Sequence, residues 1–142
     1  GIGRGALWAL YASALDGKVE HTVLLRGLGT YKALVERLRN NHHFSLYLPG
    51  ALREFDLPHV AACVAPRRLT LLNTVDQRRQ RLRRDEARRA YALTSEVYKR
   101  MAAGDAFRLA ATDCARETLE ALAEGLGAAP RTPGAGGEVW PE

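Results

Sequence analysis

The stretch DLPHVAACVAPRRLTLLNTVD, residues 56–76, decides the fold class. Asp56 stands where a helix N-cap would, and Pro58 falls in the first turn, where its missing N–H is not needed. Pro66 then ends the element. Directly after it RRLTLLN, residues 67–73, brings Leu69, Leu71 and Leu72 together in a short apolar run, the pattern of a buried strand. Asn73, Thr74, Val75 and Asp76 follow as the turn that leaves the C-terminal edge of a parallel strand, the edge at which open α/β sheets collect ligands and catalytic groups. A short helix feeding a buried strand and then a polar turn is the repeating unit of an α/β protein.

The same rhythm runs outward in both directions. Upstream, RGALWALYASAL, residues 4–15, is almost uniformly small or apolar and predicts a helix buried on most sides. After the Asp16-Gly17 turn, Val19, Val23, Leu24 and Leu25 predict a parallel strand bounded by Gly27. Residues 27–53 break the pattern: a helix is expected from Thr30, with Leu34, Val35 and Leu38 on one face, followed by the aperiodic HHFSLYLPGALR, an excursion above the sheet. Downstream, Ala87, Ala90, Tyr91, Thr94, Val97, Tyr98 and Met101 recur at spacings of three and four, so one long helix is expected, with Gly104 as its stop. Arginines at its start oppose the helix dipole, which favours an irregular loop there.

Residues 106–112, AFRLAAT, read as a short third strand. A final amphipathic helix from Arg116 carries Leu119, Leu122 and Leu126. The glycine- and proline-rich residues 127–142 are expected to form a flexible tail. The fold expected for residues 1–126 is therefore α/β, a partial doubly wound parallel sheet of about three strands with flanking helices. A sheet this thin, and opening glycines with no strand before them, suggest a cut inside a larger fold, with an exposed sheet edge left by strands that would lie upstream.

Composition narrows the function classes. With 142 residues and 46% hydrophobic side chains the chain suits one domain with a core. No run approaches the roughly 18 apolar residues of a membrane span. The net charge of +5 has one source: residues 77–103 hold nine basic against three acidic side chains, a local +6, and leave −1 for the rest. Without interleaved aromatics or a nucleic-acid fold signature, that stretch reads as a solvated helix face rather than a nucleic-acid interface. Cys63 and Cys114, far apart and without a CxxC, indicate two buried thiols, with neither a metal site nor a disulfide framework.

Residues 49–76, PGALREFDLPHVAACVAPRRLTLLNTVD, resemble the region before and through the seventh strand of α/β-hydrolases of the acetyl-xylan-esterase and dienelactone-hydrolase type. That family carries Asp-Leu-Pro, then Ala-Pro-Arg-Pro entering a leucine-rich strand, then Asn and Asp; here Arg68 stands where the second proline is usual. The resemblance extends over residues 1–126 and implies the second half of the hydrolase fold. The family reaction is ester hydrolysis through an acyl-enzyme, without a cofactor or metal, and Asp76 takes the position of the triad acid. The nucleophile elbow G-x-S-x-G then corresponds to Gly1-Ile2-Gly3-Arg4-Gly5. Gly3 occupies the nucleophile position and has no side chain to attack with.

The base histidine of the family lies in the loop after the last strand. The corresponding ATDCARE, residues 111–117, contains none. His21 falls in a strand, His42 and His43 in the excursion and His59 on the short helix, all expected to be packed or surface residues away from the base position. Nothing in the sequence brings Cys114 near His42 or His43, and Asp113 reads as a cap for the last helix. If the chain nonetheless hydrolyses esters, Cys114 or Ser45 is the nucleophile expected to work with Asp76.

The expected function is a catalytically inactive, hydrolase-like module. An alternative is an active serine-type carboxylic ester hydrolase completed by upstream segments. A second alternative is a truncated NAD(P)-binding domain, in which Gly1, Gly3 and Ala6 match G-x-G-x-x-[G/A] and Arg26 would face a 2′-phosphate; a basic nucleic-acid-binding domain is a third. The partners expected are an upstream domain of the same parent protein or a second copy joined through the exposed sheet edge, with no membrane, and with nucleic acid the less favoured reading.

Overall fold

A computed structural model describes residues 1–37 and 39–112, together with 117, 118, 120, 122 and 123. Its centre is a parallel sheet of three strands in the order β1 (His21–Leu25), β2 (Arg68–Leu72) and β3 (Phe107–Ala110). The β1–β2 register pairs His21 with Arg68 and Leu25 with Leu72; on the other side of β2, Leu69 pairs with Phe107 and Leu72 with Ala110. From Leu69 to Leu72 the central strand is wholly buried, whereas β1 alternates between buried and half-buried residues. That contrast follows position, because a central parallel strand is covered on both faces and reads as a continuous apolar run. A parallel bridge between Ile2 and Leu25 extends the sheet past β1, held by Leu25 N–H to Gly1 O at 2.9 Å and Gly3 N–H to Leu25 O at 2.8 Å.

The helices whose bounds are described are α1 (Arg4–Leu15), α2 (Lys32–Glu36), α3 (Ala51–Glu54), α4 (Leu57–Ala62), α5 (Arg84–Ala90) and α6 (Ala92–Arg100). α1 packs on β1 and touches α4, which in turn packs on α6, so the three form one continuous layer. α1 buries only Ala6, Leu7, Leu10 and Ser13, and Trp8 is 61% and Leu15 86% exposed. Burial on most sides was expected; the helix instead has one buried stripe, turned toward β1 and α4, with Tyr11 reaching Tyr31 and Phe55 beside it.

The residues that suggested α4 and β2 act through identifiable contacts. Asp56 Oδ1 accepts the Leu57 N–H at 2.7 Å, and Asp56 N–H donates to His59 Nδ1 at 3.1 Å, a reciprocal cap. The same carboxylate accepts the N–H groups of Tyr31 and Lys32, joining the starts of α2 and α4. Arg67 Nη1 donates to the carbonyls of Asp16 and Val19, each at 2.9 Å, pinning the turn between α1 and β1. Tyr98 donates to Arg67 O at 2.8 Å, and its ring stacks on Phe107 with centroids 5.3 Å apart. The buried Thr94 hydroxyl donates to Pro58 O at 2.7 Å, tying α6 to α4.

Several expectations need correction. The single long helix is two, broken at Tyr91 with φ −100° and ψ 20°. It ends at Arg100 and not against Gly104; Ala102, at φ 54°, takes the left-handed position that closes it. The arginines before it do lie in an irregular loop, as expected, from Asp76 to Arg83, and Arg81 in it pairs antiparallel with Val75. The helix expected from Thr30 is confined to α2, and Leu38 lies outside the described residues. Cys63 is an exposed free thiol, not a buried one, because it caps the C-terminus of the short α4 on its solvent side. Of the last helix, residues 117, 118, 120, 122 and 123 are helical; Asp113, Cys114 and the tail lie outside the described residues.

Candidate functional site

Every strand points its C-terminal end at one edge of the sheet, so the turns after β1 and β2 meet there with the start of α1. Gly3 is the N-cap of α1, at φ 55° and ψ −114°, a conformation that L side chains adopt only under strain. A Cβ on Gly1 would stand 2.3 Å from Gly5 O, so the backbone ahead of the turn touches the helix behind it. A Cβ on Gly3 would meet nothing within 4 Å. Glycine at position 1 is thus required by close approach, while Gly3 has room for a side chain that it lacks. No side chain caps α1, and no acidic residue stands in its first turn.

A cavity of about 390 Å³ opens over this turn. Its charged and titratable lining consists of Arg4, Arg26, Arg79, His42 and His43, and its apolar lining of Ile2, Leu28, Leu46 and Val75. Arg26 follows β1 at φ 54° and Arg79 sits in the 76–83 loop at φ 66°, both left-handed. Among the described residues the side chains of Arg4, Arg26 and Arg79 have no hydrogen-bond or ion-pair partner, and no carboxylate lines the cavity.

The excursion reaches the cavity because it is fastened to the loop after β2. Asn41 N–H donates to Gln77 O at 2.9 Å, and His42 Nε2 lies 2.7 Å from Asp76 O. A carbonyl can only accept, so Nε2 carries the proton and His42 is a donor there. His43 Nδ1 accepts Ser45 N–H at 3.2 Å and lies 3.0 Å from Ser45 Oγ. This contact caps the 3₁₀ turn Phe44–Leu46, and Ser45 does not line the cavity.

Asp76, the acid position of the resemblance, is engaged locally. Its Oδ1 accepts the N–H groups of Arg78 and Gln80, both at 2.8 Å, and so shapes the loop. The residue's link to a histidine runs through its backbone carbonyl, and its side chain is not part of the cavity lining. Gly3 and the two excursion histidines are brought to one cavity, a meeting the sequence reading missed. His59 remains apart as the α4 cap, and His21 lies on β1 with Nε2 3.4 Å from Thr70 Oγ1. Burial, followed by the charge of Arg68, lowers the His21 pKa below its ordinary value. Arg26 was noticed as the residue ending the strand; Arg4 and Arg79 were not singled out for this site, although the turn following a parallel strand was the signal available for Arg79.

Beyond β2, Asn73 Nδ2 donates to Thr112 Oγ1 at 3.0 Å and Thr112 N–H returns to Asn73 Oδ1 at 2.8 Å. This pair fixes the start of the loop after β3 to the same sheet edge. No group of three or more His, Cys, Asp or Glu able to hold a metal occurs among the described residues, nor does a helix long and apolar enough to cross a membrane. Compared with protein-family models, curated proteins and solved structures, the chain matches none.

Proposed function

We propose that this chain is an α/β-hydrolase-like module of the acetyl-xylan-esterase type that keeps the elbow of its ancestors without their chemistry. One observation carries the reading: Gly3 holds a strained strand-to-helix turn beneath a cavity, with space for a side chain and none present. An elbow of this kind exists to present a nucleophile, and glycine offers no atom that can attack a carbonyl. The nearest hydroxyl-imidazole contact, Ser45 with His43, is spent on capping a turn. The carboxylate of Asp76 is spent on the loop amides, so it orients no base. The module accordingly binds at its elbow cavity and does not turn ligand over.

Hydrolysis of p-nitrophenyl acetate tests this. The chain and its Asp76→Asn variant are expected to match the buffer rate. Turnover above that rate which Asp76→Asn abolishes would show a working triad acid and overturn the proposal.

A further inference from the structure

We infer that the elbow cavity is a site for a small organic phosphate monoester, held by Arg4, Arg26 and Arg79. The inference rests on the reading of the elbow as catalytically empty only in one respect, that the ligand is retained and not cleaved. The site itself is argued from the cavity.

Three arginines from separate segments, Arg4 at the start of α1, Arg26 just after β1 and Arg79 in the loop after β2, line one cavity of about 390 Å³. Among the described residues no carboxylate lines it, and none of the three arginines has a partner. Like charges gathered without a counter-charge repel one another, and an anion entering between them relieves that repulsion. A guanidinium presents a planar fork of N–H donors that matches phosphate oxygens two at a time. Three positive groups suit a dianion better than a monoanion, which favours a phosphate monoester over a simple carboxylate. His42 closes one wall with its Nε2–H already given to Asp76 O, so that donor is not available to the ligand.

The remaining wall defines the rest of the ligand. Ile2, Leu28, Leu46 and Val75 give the cavity an apolar side, so the ester group is compact and apolar rather than a sugar. Size agrees, since small-molecule sites occupy roughly 300–1,000 Å³ and combine apolar walls with a few polar anchors. The uncapped start of α1 contributes its N-terminal dipole in the same sense.

Calorimetric titration of the full chain with phenyl phosphate, inorganic phosphate and benzoate tests the inference, with released phosphate assayed in parallel. Phenyl phosphate is expected to bind more tightly than inorganic phosphate and benzoate, and more weakly as salt is added. Arg26→Gln and Arg79→Gln, both at exposed positions, are expected to weaken it by about 10- to 100-fold each, the usual worth of a hydrogen bond to a charged group. Their urea midpoints serve to separate lost binding from lost folding. No binding of phenyl phosphate, or binding that neither folded variant weakens, overturns the site and leaves the inactive-elbow reading standing. Benzoate binding as tightly as phenyl phosphate overturns the choice of a dianion. Tight binding accompanied by phosphate release supports the site and overturns the inactive-elbow reading.

Discussion

Asp56 joins two helices to one carboxylate, and replacing it with alanine has a cost that can be worked out bond by bond. The substitution removes the acceptor of the Leu57 N–H at the start of α4 and those of the Tyr31 and Lys32 N–H groups at the start of α2. Loss of an N-cap costs about 1 kcal/mol, within a range of roughly 0.5–2. Two helix starts are uncapped here, and one of the three donors, Lys32, is exposed to water that can replace the bond. The expected loss for Asp56→Ala is therefore about 2–3 kcal/mol. Asn is an equally good N-cap but keeps a single acceptor oxygen, so Asp56→Asn should cost about 1 kcal/mol. Urea unfolding reads both: with slopes of about 1–3 kcal/mol/M, the alanine midpoint falls by about 1 M or more while the slope is unchanged. The freed start of α2 should also make residues 32–54 the first site of proteolysis. An alanine variant within about 0.5 kcal/mol of wild type, or an asparagine variant as damaged as the alanine one, would refute the account.

Two further outcomes follow from titratable groups. Burial raises the Tyr98 pKa from 10.0 to about 12, with Arg67 opposing it, so the fold favours the neutral phenol. A folded pKa above the unfolded one contributes stability that is complete below pH 10 and lost as pH rises toward 12. Tyr98→Phe should therefore cost about 1 kcal/mol at pH 7, through the bond to Arg67 O, and flatten the alkaline decline seen by circular dichroism. His21 runs the other way: its lowered pKa makes its contribution present above pH 6.5 and lost as pH falls through the folded value. By NMR its ring should titrate below 6.5, and Arg68→Gln should raise that midpoint; an unchanged midpoint would remove Arg68 as a cause.

How much of this was legible in the sequence depends on the range of the interactions. α4 and β2 were readable because Asp56, Pro58 and the leucines of residues 69–72 act on their own neighbours. The break at Tyr91 was not, since the spacing of apolar residues continues unaltered across it from Ala87 to Tyr98. Gly104 misled for a local reason: a Cβ there would meet only Lys99 Cγ, at 3.8 Å, so no close approach demands glycine, and the turn is made by Ala102 instead. The meeting of His42 and His43 with Gly3 depends on bonds between residues 41–42 and 76–77, which no short-range pattern encodes. Asp76 illustrates the opposite case. An aspartate two residues before a loop N–H is a recognisable turn former, and its local role was available beside the role the resemblance suggested.

The left-handed backbone of Arg26 and Arg79 sets thermal robustness against ligand affinity. A bulky residue in that conformation costs roughly 1–2 kcal/mol more than glycine. Glycine at either place would make the scaffold sturdier and remove a cation from the cavity in the same stroke. A search for heat-resistant variants would therefore drift toward a hardier protein with an emptier pocket. Selection for binding would hold both arginines in place at a standing cost to the fold.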